Sequence, residues 1–525
     1  MKFHLFKITT LIVAYATLTS ASLASVKSNN EEKKPSIIDS IETNVINNLR
    51  EGIINTADRI KSVESKLGQS FELEMDFLDN LIVVTEAEAI NTGYQLSPDI
   101  ASAKSQKESQ SWSVLANKRY FYYPNILVDM GDSSKMLFGY QWKRTSKKTI
   151  SCGNAINCNL LSPPTEDYSS NTYLNPGIQL QWFFFDLEQS AKINASEKLL
   201  EAKRLQINLT SRDQIYKIQD TYYDLQRIQY MIKVYQFIIE NDLKYYLLVD
   251  QNTYHKDGRL LSSSLQIKTQ LFSDITTLYA LYQRLVSQSA YLAELMGISS
   301  DKFVIAKEKI EPSQAWGLNL KQSLEKSLSD NEEILILTAT SESEIWKQRE
   351  LIRSYIPKLL AVGYAFPSYQ EGSLGIPTNQ RITGLNISNG IFDTYGGIGF
   401  IWKFDSLINA ANSASARENA EASKNQTKAA ILEVANNVKS NYSLWKIGIV
   451  NYKNNQLLLN EITSQLPAIL NFDKTNINAT DLVVITNQFT NANKQYSDSI
   501  YQAKTGVAGL HRFTSTWPNS LSTEN

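Results

Sequence analysis

The chain spells one arrangement twice. Near residue 98 a polar helix pattern leads to Pro124, a strand, a polar loop, an aromatic strand, a very long helix, a tip and a return helix; the same order begins again near residue 330. Each unit is about 230 residues long, well beyond a solenoid period, and repeated units are expected to bury faces against one another. The segment Tyr122-Tyr123-Pro124-Asn125-Ile126-Leu127-Val128 returns as Tyr355-Ile356-Pro357-Lys358-Leu359-Leu360-Ala361, with Trp112 upstream of the first proline and Trp346 upstream of the second. Gly177-Ile178-Gln179-Leu180-Gln181-Trp182-Phe183-Phe184 returns as Gly397-Ile398-Gly399-Phe400-Ile401-Trp402-Lys403-Phe404, and one residue of slippage later Phe185-Asp186 matches Phe404-Asp405. Segment lengths agree as well as residue types, which separates this pattern from the general likeness of amphipathic helices.

The first residues point to export. Lys2 and Lys7 flank the start of an apolar run through Leu11, Ile12 and Val13, and small residues ending Ser22-Leu23-Ala24 suit a signal cleavage site before Ser25. The run is too short for a stable membrane helix, and no other stretch approaches the length needed to span a bilayer. The mature chain is therefore expected to be periplasmic, secreted, or an outer-membrane β-barrel, because closed barrels also satisfy every backbone group in lipid. No cysteine stands at the cleavage site, which argues against a lipid anchor there.

Residues 25–75 read as a polar, poorly packed extension with an amphipathic helix around Ile37–Ile60. The formal charge of −1 loses two lysines with the signal, becoming about −3, and gives no reason to expect nucleic acid. The two cysteines, Cys152 and Cys158, share the polar loop of the first strand pair. In an exported chain a short-range disulfide is favoured, with two free thiols as the alternative. Their spacing, with no histidine nearby, lacks the ligand count of a metal site.

The long segments carry helical periodicity. Ile218, Tyr222, Leu225, Ile228, Ile232, Tyr235, Ile239, Leu243 and Tyr246 step by three and four without proline or glycine. The second copy follows with Ile431, Val434, Val438, Trp445, Ile449, Tyr452, Leu459, Ile462 and Leu466. A continuous helix from Asp186 to the region of Gly258 would reach roughly 100 Å at the α-helical rise. No ordinary globular domain is that deep. Pro467 is expected to kink the second long helix just before its tip.

Strands are expected on one side of these helices only. Ile178, Leu180, Trp182 and Phe184 alternate with glutamines, and Ile398, Phe400, Trp402 and Phe404 alternate with Gly399, Ile401 and Lys403. Such alternation suits a lipid face and a lumen face of a barrel, although the half-buried strand of a soluble sheet has the same period. Four strands in two hairpins on an exported chain favour the membrane. Four strands cannot close a barrel, so the unsatisfied edges predict oligomerisation.

The order of elements resembles the TolC-like outer-membrane efflux proteins over about residues 80–510. The likeness rests on Val84-Thr85-Glu86-Ala87-Glu88-Ala89-Ile90 leading to Ser97-Pro98-Asp99-Ile100, the Tyr123-Pro124 strand start, the aromatic strand ending Phe185-Asp186, and the tip from Tyr254 to Leu265. The resemblance implies a mainly α fold with a β-barrel portion: long antiparallel coiled helices plus four barrel strands per protomer, closed by homotrimerisation. It places the protein in the outer membrane with a large periplasmic portion, docked to a periplasmic adaptor protein and an inner-membrane pump or ABC transporter. It implies a passive conduit for small molecules or, in type I secretion, for proteins. A non-channel periplasmic or surface coiled-coil protein is the competing reading. No catalytic constellation or cofactor motif is legible: His255 and His511 stand alone, so neither an enzyme nor a cofactor is expected.

This organisation divides the chain into a signal peptide (1–24), the extension (25–75), a first repeat (76–300), a second repeat (301–515) and a tail (516–525). Strands are expected at about 124–145, 173–186, 357–369 and 393–405, and long helices at about 187–257, 262–297, 406–472 and 480–508. The tips are where such proteins close their pore and meet their adaptor. Gly258, Arg259 and Ser263 in the first tip, and Asn476 and Asn478 in the second, are the candidate adaptor contacts. Asp481 matches the first acidic position of a pore ring, although an acidic residue in the first turn of a helix is also favoured by its dipole. Val484 replaces a second aspartate of some relatives, and Ile477 or Asn478 stands in place of a gating arginine.

Overall fold

A computed structural model describes residues 37–67, 80–129, 138–147, 165–174, 177–252, 258–299, 301–312, 315–375, 385–470 and 479–518. Cys152, Cys158, Asn476, Asn478 and the signal segment lie outside these residues.

The two repeats match element by element. Strand β1 (Leu81–Val84) opens the first, followed by α2 (Glu86–Leu96) and α3 (Pro98–Tyr122); β6 (Phe303–Ala306), α6 (Leu320–Asp330) and α7 (Glu332–Arg353) open the second. The short helices are both 11 residues, and α3 and α7 are 25 and 22. Both short helices start with a capping box, Thr85 with Glu88 and Asn319 with Gln322, in which side chains satisfy orphan backbone donors. After the strands come the long helices α4 (Leu187–Asn252) and α8 (Ile408–Leu470), of 66 and 63 residues. They return as α5 (Gly258–Leu295) and α9 (Ala479–Phe513), of 38 and 35 residues. At the usual rise α4 is about 100 Å long.

A six-stranded antiparallel sheet stands at one end of the helices. In the first repeat β2 (Asn125–Asp129) and β3 (Phe138–Lys147) form one limb, and β4 (Thr165–Leu174) and β5 (Gly177–Phe185) the other. β2 pairs with β5 and β3 with β4. Both pieces of the second limb then pair along β7 (Lys358–Gly375), which pairs on its far side with β8 (Leu385–Ile401). The sheet therefore has four limbs, with the β2–β3 limb and β8 as its outer members. At their loop ends β7 and β8 run past the expected bounds, because their ladder continues to Leu374 opposite Leu385, whereas at its other end β8 stops at Ile401, short of the expected 405.

A second sheet joins the repeats at their starts. β1 and β6 pair in parallel, Leu81 opposite Phe303 through Val84 opposite Ala306. These four-residue strands are too short for a periodicity argument, and the expectation of strands on one side only missed them. Val84 O accepts from Lys307 N and from the buried Tyr222 hydroxyl of α4, so the small sheet is tied to the long helix. Val83, Val304 and Ile305 join Ile218, Leu225, Ile228 and the facing Leu278, Leu285 and Leu292 of α5 in the main core.

In the N-terminal segment the expected amphipathic helix is present, and its packing departs from expectation. Helix α1 (Ile37–Leu67) buries Leu49, Ile53 and Ile60 in that core, and Arg59 bridges Glu240 of α4 at 2.6 Å. Over the described residues 37–67 the segment is thus packed along α4 rather than loose. A stripe of only three or four apolar residues among many polar ones is enough, because α4 supplies the other wall of the groove.

Close to the small sheet, α4 holds the start of the second repeat. Arg212 pairs with Glu332, the first residue of α7, at 2.6 Å with both side chains buried. Glu332 also accepts from Ser515 Oγ at 2.5 Å, and the Arg212 guanidinium lies 3.9 Å from the Trp517 ring centroid. Next to it Arg512 of α9 pairs with Asp213.

Candidate functional site

Three features bear on function: the junctions between strands and helices, the outer strand faces, and the helix tips. The junctions repeat in both copies. Asp186 is buried, and its Oδ1 accepts from Gln189 N at 2.9 Å, capping α4. Its Oδ2 receives Lys358 Nζ at 2.9 Å, joining the start of β7 to the start of α4. Asp405 caps α8 in the same manner, accepting from Asn409 N at 3.0 Å, and its other oxygen accepts from the Tyr355 hydroxyl at 2.7 Å. Here Ser406 and Leu407 adopt positive φ, a two-residue left-handed step absent from the first copy.

Two tryptophans pin the ends of the preceding helices. Trp182 Nε1 donates to Phe121 O at 3.3 Å, and Trp402 Nε1 donates to Tyr355 O at 2.9 Å. Each indole satisfies a carbonyl at the end of a helix that leads into the sheet. These roles of the aspartates and tryptophans were not anticipated. Their signal was present, because Phe185-Asp186 and Phe404-Asp405 were among the matched residues.

Ile178, Leu180, Trp182 and Phe184 lie exposed on one face of β5, while Gln179 and Phe183 point the other way. Gln179 Nε2 donates to the Tyr364 hydroxyl on that second face at 2.7 Å. Ile398 and Phe400 of β8 are also exposed, at 78% and 68%. Trp402 and Phe404 are exposed as well, but they are not strand residues. β8 ends at Ile401 opposite Lys358, and the residue before Lys358 is Pro357, whose nitrogen carries no hydrogen to continue the ladder. The apolar band therefore continues past the last rung on irregular backbone.

At the far end Gly258 and Arg259 open α5, and Ser263 lies one turn further along. Asp481 occupies the first turn of α9, exposed, between the buried Ala479 and Leu482. Thr480 donates to Gln266 Oε1 at 3.2 Å, and Asn487 and Gln270 exchange side-chain hydrogen bonds at 3.2 and 3.3 Å. These contacts place the start of α9 beside the start of α5. Val484, 47% exposed, shares the Asp481 side of the helix one turn on. Among the described residues no helix is long and apolar enough to cross a membrane.

Doubled strand hairpins feeding helices of 100 Å scale, with an open sheet above and coiled pairs below, define the TolC-like outer-membrane-channel fold, and the chain has that fold. It is similar to the Campylobacter jejuni CmeC outer-membrane channel, with a TM-score of 0.63 at 12% identity over 86% of this chain and 91% of that one. It is similar also to the outer-membrane protein VceC of Vibrio cholerae, with a TM-score of 0.59 at 13% identity over 82% and 96%. The open state of the Neisseria gonorrhoeae MtrE outer-membrane channel matches with a TM-score of 0.53 at 12% identity over 82% and 89%. No family model and no curated protein matches the sequence. The likeness is one of architecture, carried by lengths and packing rather than by identical residues.

Proposed function

We propose that three copies of the chain form an outer-membrane channel, a passive conduit from periplasm to exterior that works with a periplasmic adaptor and an inner-membrane pump or ABC transporter. One observation carries the reading. The four-limbed sheet leaves the β2–β3 limb and β8 as outer members, while Ile178, Leu180, Ile398 and Phe400 face outward uncovered. A sheet of this kind joined edge to edge with further copies removes its edges and turns an apolar face toward lipid. The exposed Leu432, Ile447, Val450 and Leu457 of α8 give the helices a face to cover in the same assembly.

The test is outer-membrane fractionation followed by planar-bilayer recording of the detergent-extracted protein. Discrete conductance steps are expected. Well-folded protein that fractionates with the soluble periplasm and never conducts would favour the pore-free coiled-coil reading. In the channel, three Asp481 side chains are proposed to line the periplasmic constriction. Asp481→Asn is then expected to weaken block by divalent cations applied from the tip side about tenfold or more, since the site loses all its focused negative charge. Unchanged block removes Asp481 from the pore. For the tips, photo-crosslinkers placed at Gly258 and Asn476 are expected to capture a periplasmic adaptor in cells; capture of nothing but the chain itself counts against these positions as the docking surface.

A further inference from the structure

Between α1, α4, the segment that follows β6 and the α8–α9 pair lies a cavity of about 580 Å³. One wall is apolar and aromatic: Leu49 of α1 and Ile310 are buried, and Tyr230 and Tyr496 meet with ring centroids 6.0 Å apart. Tyr452 extends this wall, 5.6 Å from Tyr496. The tyrosine arrangement is held from behind, because the Tyr230 hydroxyl donates to Asn493 Oδ1 at 2.5 Å.

The lining is also cationic. Lys233 of α4, Lys307 and Lys309 all line the cavity, and among the described residues none of the three has a carboxylate within ion-pair distance. Among the described lining residues the acidic one is Glu308, and it is already hydrogen-bonded. Its carboxylate accepts from the Tyr222 hydroxyl and from the backbone N–H of Glu86, at 3.2 and 3.3 Å for the latter. Among the described residues the lining therefore carries three lysines against one hydrogen-bonded carboxylate, beside apolar and aromatic side chains; of the three, Lys307 also interacts electrostatically with Glu88.

We propose that this cavity binds an amphipathic anion: a carboxylate or sulfonate carried on an aromatic or alicyclic body. The apolar wall takes the apolar body and the lysines take the charge, the division of labour usual for pockets of this size. Among the described lining residues three lysines outnumber the one carboxylate, which disfavours a cationic ligand, and a purely polar anion leaves the tyrosine wall uncovered. Because Asn48 and Leu49 close the cavity from the α1 side, an occupant also bridges α1 to α4, α8 and α9. Binding therefore steadies α1 in its docked position.

The experiment uses the full mature chain, transferred from detergent into amphipol, with naphthalene-2-sulfonate as the probe and naphthalene-2-sulfonamide as its neutral counterpart. Calorimetric titration is expected to show saturable sulfonate binding, at least tenfold tighter than the sulfonamide, that weakens as salt rises. Hydrogen exchange around Leu49 to Ile53 is expected to slow several-fold with the sulfonate bound. The triple variant Lys233→Gln, Lys307→Gln, Lys309→Gln should lose tenfold or more in affinity, and Leu459→Trp, which fills the cavity from α8 without touching the lysines, should lose binding while keeping the helical circular dichroism. Equal affinity for both probes, an unaffected triple variant, or protection confined to segments away from α1 each overturns the proposal.

Discussion

Replacing Gly506 with leucine is expected to drive α8 and α9 apart and lower the stability of the helical pair by about 3 kcal/mol or more, the upper range for overpacking a filled site. A Cβ at Gly506 would stand 2.6 Å from Trp445 N, 2.9 Å from Asn441 O and 3.0 Å from Trp445 Cα, all backbone atoms that no side-chain rotation can move. The approach is mutual. Gly448 of α8 meets Ala503 of α9 at 2.7 Å from a Cβ to the backbone nitrogen, so each helix presents a missing side chain to the other's main chain. Glycine inside a helix costs about 1 kcal/mol relative to alanine, and close contact of two backbones is the physical return for it. Even Gly506→Ala is expected to lower the denaturation midpoint, while Gly397→Ala, which meets nothing within 4 Å, should leave it unchanged. Midpoints followed by far-ultraviolet circular dichroism decide the matter. Equal midpoints for Gly506→Leu and the parent would mean that the two helices do not pack through this seam.

The seam shows where reading the chain in one dimension succeeds and where it stops. Helix existence and length were legible because α4 runs for 66 residues without proline or glycine, and α8, which holds only Gly448 and Pro467, repeats its apolar spacing over 63. Strand alternation on β5 was legible for the same reason. Contacts that depend on two distant positions were not. Gly448 and Gly506 read as ordinary interruptions until their partners, Ala503 and Trp445, are known to lie opposite. The docking of α1 depends on a groove that exists only once α4 is folded, and β1 finds its partner 222 residues away at β6. The end of β8 before Trp402 was hidden because alternation continues in sequence after the ladder has run out of partners. At the candidate site Asp481 was singled out by its match to the acidic position of the resembled family, whereas the lysine-rimmed cavity joins residues from α1, α4, β6, α8 and α9 and leaves no local trace.

A buried carboxyl pair between α4 and α5 makes stability depend on pH in the direction opposite to most acid-sensitive proteins. Asp242 and Asp274 are 3% and 4% exposed, and each is a carboxyl facing the other across the antiparallel helices. Burial first, and the neighbouring Asp274 carboxylate second, push Asp242 up to about 8; Asp274 is raised as well, chiefly by burial, although Gln270 Nε2 donates to it at 3.0 Å. The pair accordingly holds a proton near neutrality that the unfolded chain, with aspartates near 3.9, has already released. The folded state then binds more protons than the unfolded one between these values, so stability falls as pH rises. The contribution is complete below about pH 4, declines through neutrality and is lost above about pH 8. Asp242→Asn removes the ionisation while keeping the size and leaving an amide to donate to Asp274. It is expected to match the parent near pH 4 and to exceed it at pH 9 by an amount on the order of a few kcal/mol, the scale of a multi-unit shift on a buried group. Thermal midpoints of the two proteins at both pH values measure this difference, and a gap that does not widen with pH would show that the pair carries no shared proton.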